Sequence, residues 1–231
     1  MNSNKKVTRD ASYFQTAGAL WLAVKEGASV PEQFPYGLGA LILNYFLYQS
    51  ELVPRWLSVW GFVGGVLIVA MGGLRLFGRP MFYLALPIVL NEMVLAIWLI
   101  VVGFDSSAIA STIVGVLFIT ALVSSMLNGV FIKPINEPDY LTAVSADENK
   151  VSIGVLFQLA LTASVVAIPI VMFPVIREHN EILALGYLGA RIFEGFFDAV
   201  IAISQILLLT LSREFAKAGI PTAKIVVDNT E

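Results

Sequence analysis

The chain has no cysteine, a single histidine and few charges. Without cysteine there is no disulfide framework, no thiol nucleophile and no thiolate metal ligand, and the redox compartment leaves no mark. His179 stands alone, whereas zinc and bis-histidine haem sites draw on several imidazoles or thiolates, so no metal or cofactor is expected. A formal charge of -3 provides no basic footprint for nucleic acid. The strings HExxH and GxSxG and the Walker loop are missing. Nothing in the spacing sets a hydroxyl and an orienting acid beside His179 for Ser-His catalysis. The residues therefore point away from an enzyme.

What is present is apolar. Of 231 residues, 58% are hydrophobic and 13% charged, against roughly 25% charged in soluble domains. The charges are unevenly spaced, and the runs between them approach or exceed the roughly 20 apolar residues a spanning helix needs. The expectation is an all-α polytopic transmembrane bundle with spans at about 34–50, 56–76, 81–104, 108–132, 151–175 and 183–212. It forms a single domain over 11–220, flanked by polar tails at 1–10 and 221–231. Its obligatory partner is the lipid bilayer, and the oligomeric state is open. Residues 12–27, with Tyr13, Phe14, Trp21 and Lys25, are too short and too polar to cross. They predict a helix in the membrane interface, with Trp21 at headgroup depth.

The 133–150 connection contains Pro134 and Pro138 and is expected to be a loop. It ends in Ser145, Ala146, Asp147 and Glu148, a capping-box pattern for the fifth span. Pro87 and Pro169 fall inside spans, where a missing N–H kinks a helix. Gly61 with Gly65, and Gly186 with Gly189, offer small-residue surfaces for close helix packing. His179, among Arg177, Glu178, Asn180 and Glu181, is expected to be a solvated loop histidine. Six spans gather Lys5, Lys6, Arg9, Lys25, Arg75, Arg79, Lys133, Lys150, Arg213, Lys217 and Lys224 on one side, with Arg55 and Arg177 on the other. By the positive-inside rule both termini are then cytoplasmic.

Four ionisable residues lie within the expected spans: Glu92, Arg191, Glu194 and Asp198. Each would cost about 2.5 to 3.5 kcal/mol at a helix centre on insertion scales, so such groups face the bundle interior and pair. At 100° per residue, Asp198 lies about 20° from Arg191 around its helix and Glu194 about 60° away. Tyr187 and Gln205 share that arc. Glu92 sits about 16 Å along a helix of about 36 Å, near mid-bilayer, beside Asn91. Asn44 is a further buried amide. The candidate ligand-binding or proton-binding residues are thus Glu92, Arg191, Glu194, Asp198, Asn91, Asn44 and Gln205. Two readings stay open. Either the surplus acids bind a small solute or a proton in a transport or binding role, or Arg191 clamps Glu194 and Asp198 as a packing tether. A lined cavity reaching Glu92 or Asp198 distinguishes the first from the second.

Several strings resemble a known bacterial multi-pass membrane family, domain of unknown function 4386. They are LVPRWLSVWG at 52–61, NEMVLAIWLIVVGF at 91–104, DYLTAVSADEN at 139–149, ALGYLGARIFE at 184–194 and LTLSREFAKAG at 209–219. The resemblance covers about 11–220. It implies residence in the bacterial cytoplasmic membrane and about six helices, and no substrate. In the family's order the part matching 112–220 precedes the part matching 11–110, so this chain resembles a circular permutation of it. Former neighbours near Asp10 and Pro221 are then expected on one side, within roughly 20 Å.

Overall fold

Apolar runs punctuated by proline, glycine and asparagine fold into eight α-helices in the computed structural model, which describes residues 2–104 and 108–218. They are α1 (Asn2–Ser29), α2 (Gln33–Ser50), α3 (Arg55–Leu76), α4 (Leu86–Val101), α5 (Ala108–Phe131), α6 (Tyr140–Ala146), α7 (Glu148–His179) and α8 (Glu181–Lys217), with 3-10 turns at Phe82–Ala85 and Lys133–Asn136. No strand occurs among the described residues. Five helical segments are long and apolar enough to cross a membrane: Arg55–Leu76, Phe82–Val101, Ala108–Phe131, Glu148–His179 and Glu181–Lys217. The shorter α2, interrupted by Tyr36, Asn44, Tyr45 and Tyr48, is less apolar and packs along α3 and α8, completing the six-helix bundle. Phe62, Val66, Ile97, Met126, Phe193 and Ile203 are exposed on its flanks, as lipid-facing side chains are, because hydrocarbon is as apolar as they are.

The breaks follow from local chemistry. Glu51 ends α2 in the left-handed conformation, φ 55°, and Pro54 precedes α3 with an extended ψ of 133°. Gly78, at φ +70°, closes α3, and its N–H donates to Arg75 O at 3.0 Å. Gly103, at φ +71°, does the same after α4 by donating to Trp98 O at 3.2 Å. Asn180 is the sole residue between α7 and α8, and its Oδ1 accepts from the Leu183 N–H at 3.0 Å. That satisfies one of the free donors at the start of a 37-residue helix. Asn180→Ala is expected to lower stability by about 1 kcal/mol, readable as a shift in the denaturation midpoint in detergent.

Several sequence expectations are corrected. Pro87 does not kink a span, because it lies in the first turn of α4, where a missing N–H costs nothing. Pro169 is inside α7, as is Pro174. The 133–150 connection is not a loop, since it forms a 3-10 turn and α6. Ser145 does not cap α7: its hydroxyl donates back to Thr142 O at 2.8 Å, and α7 starts without a side-chain cap. Gly186 approaches Ile42, but Gly189 faces open space, and the tight approach on α8 is instead Gly195 against Val166. His179 ends α7 and is exposed. Its ring nonetheless rests edge-on against Phe46, centroids 5.4 Å apart.

The N-terminal helix is longer than 12–27 and is seated on the bundle. Phe14 meets Phe215 at 5.8 Å between ring centroids, and Trp21 and Leu22 pack on Leu208, Leu209, Ile132 and Val151. Farther along, Gly39 lies against Arg191 and Ile42 against Gly186. One index rises as the other falls, so α1 and then α2 run antiparallel along α8. Tyr140 clasps α1 by donating to Gln15 O at 3.3 Å, and Lys25 donates to Asn136 Oδ1 at 2.8 Å. Ser29, the last residue of α1, accepts from Arg75 at 2.9 Å through its carbonyl. These contacts bring Lys25, Arg75 and the 133–136 turn to one end of the bundle. The opposite end is closed by Phe46, Val53, Leu57, Phe104 and Ile176. The junction residues 105–107 and Pro221 lie outside the described residues.

Candidate functional site

A helix that places polar residues three, then four, then seven positions apart presents them along one stripe. On α8 the stripe is Arg191, Glu194, Asp198 and Gln205, and all four are buried. Arg191, only 3% exposed, donates from Nη1 to both carboxylate oxygens of Glu194, at 2.8 and 3.0 Å. Its Nη2 reaches Glu92 Oε1 of α4 at 3.8 Å, and its Nε donates to the Tyr187 hydroxyl at 3.4 Å. The rings of Tyr36, Phe118 and Tyr187 stand 5.6, 5.8 and 5.8 Å from its guanidinium carbon. Such faces attract a cation through their quadrupoles.

The expected clamp of Asp198 by Arg191 is corrected. Asp198 has no cation within ion-pair distance among the described residues. Its Oδ1 instead accepts from Gln158 Nε2 of α7 at 3.2 Å. The guanidinium is already shared between Glu92 and Glu194, and one turn separates Glu194 from Asp198 along α8.

These groups surround a cavity of about 160 Å³. Glu92, Arg191, Glu194 and Asp198 line it together with Glu32 and Tyr36. Val89, Phe118, Ala121, Leu122, Leu161, Val165 and Ile168 form an apolar wall. Half-buried Glu32 and exposed Ser125 stand at its mouth. Glu32 occupies the break between α1 and α2, where the turn aims it at α8. Burial, then the carboxylates of Asp198 and Glu194, hold its carboxyl well above the usual carboxylate range, while Arg75 pulls it down.

The other three candidates lie elsewhere. Asn44 Nδ2 donates to Ala40 O of its own helix at 2.8 Å, and Asn91 Nδ2 donates to Leu57 O of α3 at 2.8 Å. Their Oδ1 atoms have no hydrogen-bond partner and converge on Gly61, so both amides pack helices. Gln205 lies two turns beyond Asp198, accepting from Asn128 Nδ2 of α5 at 3.1 Å. None of the three lines the cavity.

Sequence reasoning missed Glu32, Tyr36, Gln158 and Phe118. Glu32 reads as a loop acid beside Pro31 because only its position against α8 makes it part of the site. Gln158 carried a usable signal, as an amide in the middle of the charge-free 151–176 run.

No curated protein and no solved structure matches the chain. The family described as domain of unknown function (DUF4386) matches residues 5–103 and 113–227. Those two segments hold every residue that lines the cavity, and the chain, with five helices long and apolar enough to cross a membrane, belongs to that family.

Proposed function

We propose that this is a non-enzymatic membrane protein whose buried charge cluster binds a small solute or a proton in a transport-type role. The observation that carries the reading is the cavity lined by four carboxylates, Glu32, Glu92, Glu194 and Asp198, around a single guanidinium. One arginine neutralises one carboxylate. The others must take up protons or cations, because an unpaired charge withdrawn from water is costly. The tether reading is favoured by the enclosure of Arg191 between Glu194 and Glu92. The two readings part at Asp198, which the tether does not use.

The test is proton and cation flux in proteoliposomes. A gradient-driven flux that Asp198→Asn reduces at least about tenfold is expected, in line with loss of a buried charge partner. A flux indistinguishable from empty vesicles, or one untouched by Asp198→Asn, would sink the reading in favour of the tether.

The proposed setting is the bacterial cytoplasmic membrane with both ends of the chain on the cytoplasmic side. It is supported by the clustering of Lys25, Arg75, Lys133, Lys150 and Arg213 toward the α1 end, against Arg55 and Arg177 at the other. We also read the chain as a circular permutation of its family. The match in two segments meeting between 103 and 113 supports this. So does the seat of Phe14 against Phe215, since tolerated permutations join ends that lie close.

A further inference from the structure

We propose that the cavity takes a small organic cation with an apolar body, of the alkylammonium or benzylammonium class. This rests on the reading of the cluster as a binding site and names its ligand. A proton satisfies charge and needs no room, yet the space is about 160 Å³, comparable to the roughly 150 Å³ that accommodates benzene in an engineered protein cavity. Phe118, Leu122, Leu161, Val165 and Ile168 give that space an apolar wall, which suits a hydrocarbon body better than a hydrated metal ion.

The cationic head is called for by groups that lack one. Asp198 is only 3% exposed and lines the cavity. One of its oxygens is held by Gln158, and the other has no partner among the described residues. Glu32 also lines the cavity, and among the described residues it forms no ion pair. Arg191 cannot serve either, being held by Glu194 and Glu92. An ammonium, with its positive charge and three donors, supplies what these carboxylates lack. Of the polar lining residues Glu32 is half-buried and Ser125 exposed, which puts the opening beside them.

The test measures binding of benzylammonium, neutral benzyl alcohol and anionic phenylacetate to the full chain in lipid nanodiscs, by calorimetry and by ligand-induced rise of the unfolding midpoint. Benzylammonium is expected to bind at one site per chain and at least about tenfold more tightly than benzyl alcohol, with phenylacetate weaker still. Asp198→Asn should erase the preference for the cation while leaving the alcohol's affinity in place. Should that variant fail to fold, Glu32→Gln at the partly exposed mouth tests the same preference. Equal affinity for the three compounds, or a cation preference unchanged by both variants, overturns the proposal. Proton flux without benzylammonium binding overturns the ligand class alone, whereas absence of both removes the site reading with it.

Discussion

Arg191→Ala is expected to destabilise the bundle by about 3 to 5 kcal/mol, the range seen when one partner of a buried ion pair is removed. The guanidinium is the shared counter-charge of Glu194 on its own helix and Glu92 on α4. Its loss leaves two carboxylates facing an emptied space between Tyr36, Phe118 and Tyr187. Water admitted to that space softens the penalty without removing it, because Glu194 and Glu92 still lose their counter-charge. Equilibrium unfolding in detergent reads the change. Adding Glu194→Gln to Arg191→Ala should restore part of the loss, since the second substitution removes the stranded charge. The two changes are therefore expected to be non-additive. An unchanged midpoint for Arg191→Ala, or strict additivity, would show that the cluster is not held by this arginine.

Gly61→Ala is expected to cost about 3 to 5 kcal/mol. A Cβ there would lie 2.5 Å from Asn91 Oδ1 and nearer still to Asn44 Oδ1, so both amides must swing away. Overpacking a filled interior costs about 1 to 3 kcal/mol. Each amide that swings also strains its bond to Ala40 O or Leu57 O, worth about 1 kcal/mol apiece. The two oxygens have no conventional donor. Their approach to Gly61 places them where the glycine Cα–H groups serve as weak donors, a recurring contact between close-packed helices. Gly73 on the same helix is the control, because nothing lies within 4 Å of a Cβ added there. Gly73→Ala should be neutral or gain up to about 1 kcal/mol from helix propensity. Equal effects at both glycines would show that α2, α3 and α4 do not meet over Gly61.

How much of this was legible in the sequence depends on range. The candidate stripe on α8 was readable because its members lie within about four turns of one helix, and 3.6-residue periodicity alone puts Arg191, Glu194 and Asp198 on one face. The breaks after Ser50 and Leu76 were legible too, since the expected spans 34–50 and 56–76 end where α2 and α3 end. Proline and glycine mark an interruption, but whether Pro87 kinks a helix or starts one depends on where the preceding 3-10 turn ends. The Ser145 pattern failed for a related reason: the same residues that spell a capping box also continue a short helix, and packing of Leu141 and Val144 in the interior favoured the helix.

The chain by itself determined that it is a helical membrane protein. Apolar runs near 20 residues long have no water to satisfy their backbone groups, and the helix satisfies them within the segment. It also determined the polar face of α8, since that is a matter of local geometry. Only the tertiary structure decided which helices meet. It separated Asp198 from Arg191 and gave it to Gln158, brought Glu92 from α4 and Glu32 from a helix break into one cavity, and set Asn44 and Asn91 against Gly61, outside that cavity. Those outcomes follow from close approaches at Gly61, Gly115 and Gly195. Which neighbour a missing side chain admits is a property of two surfaces together, and it is not written in either segment alone.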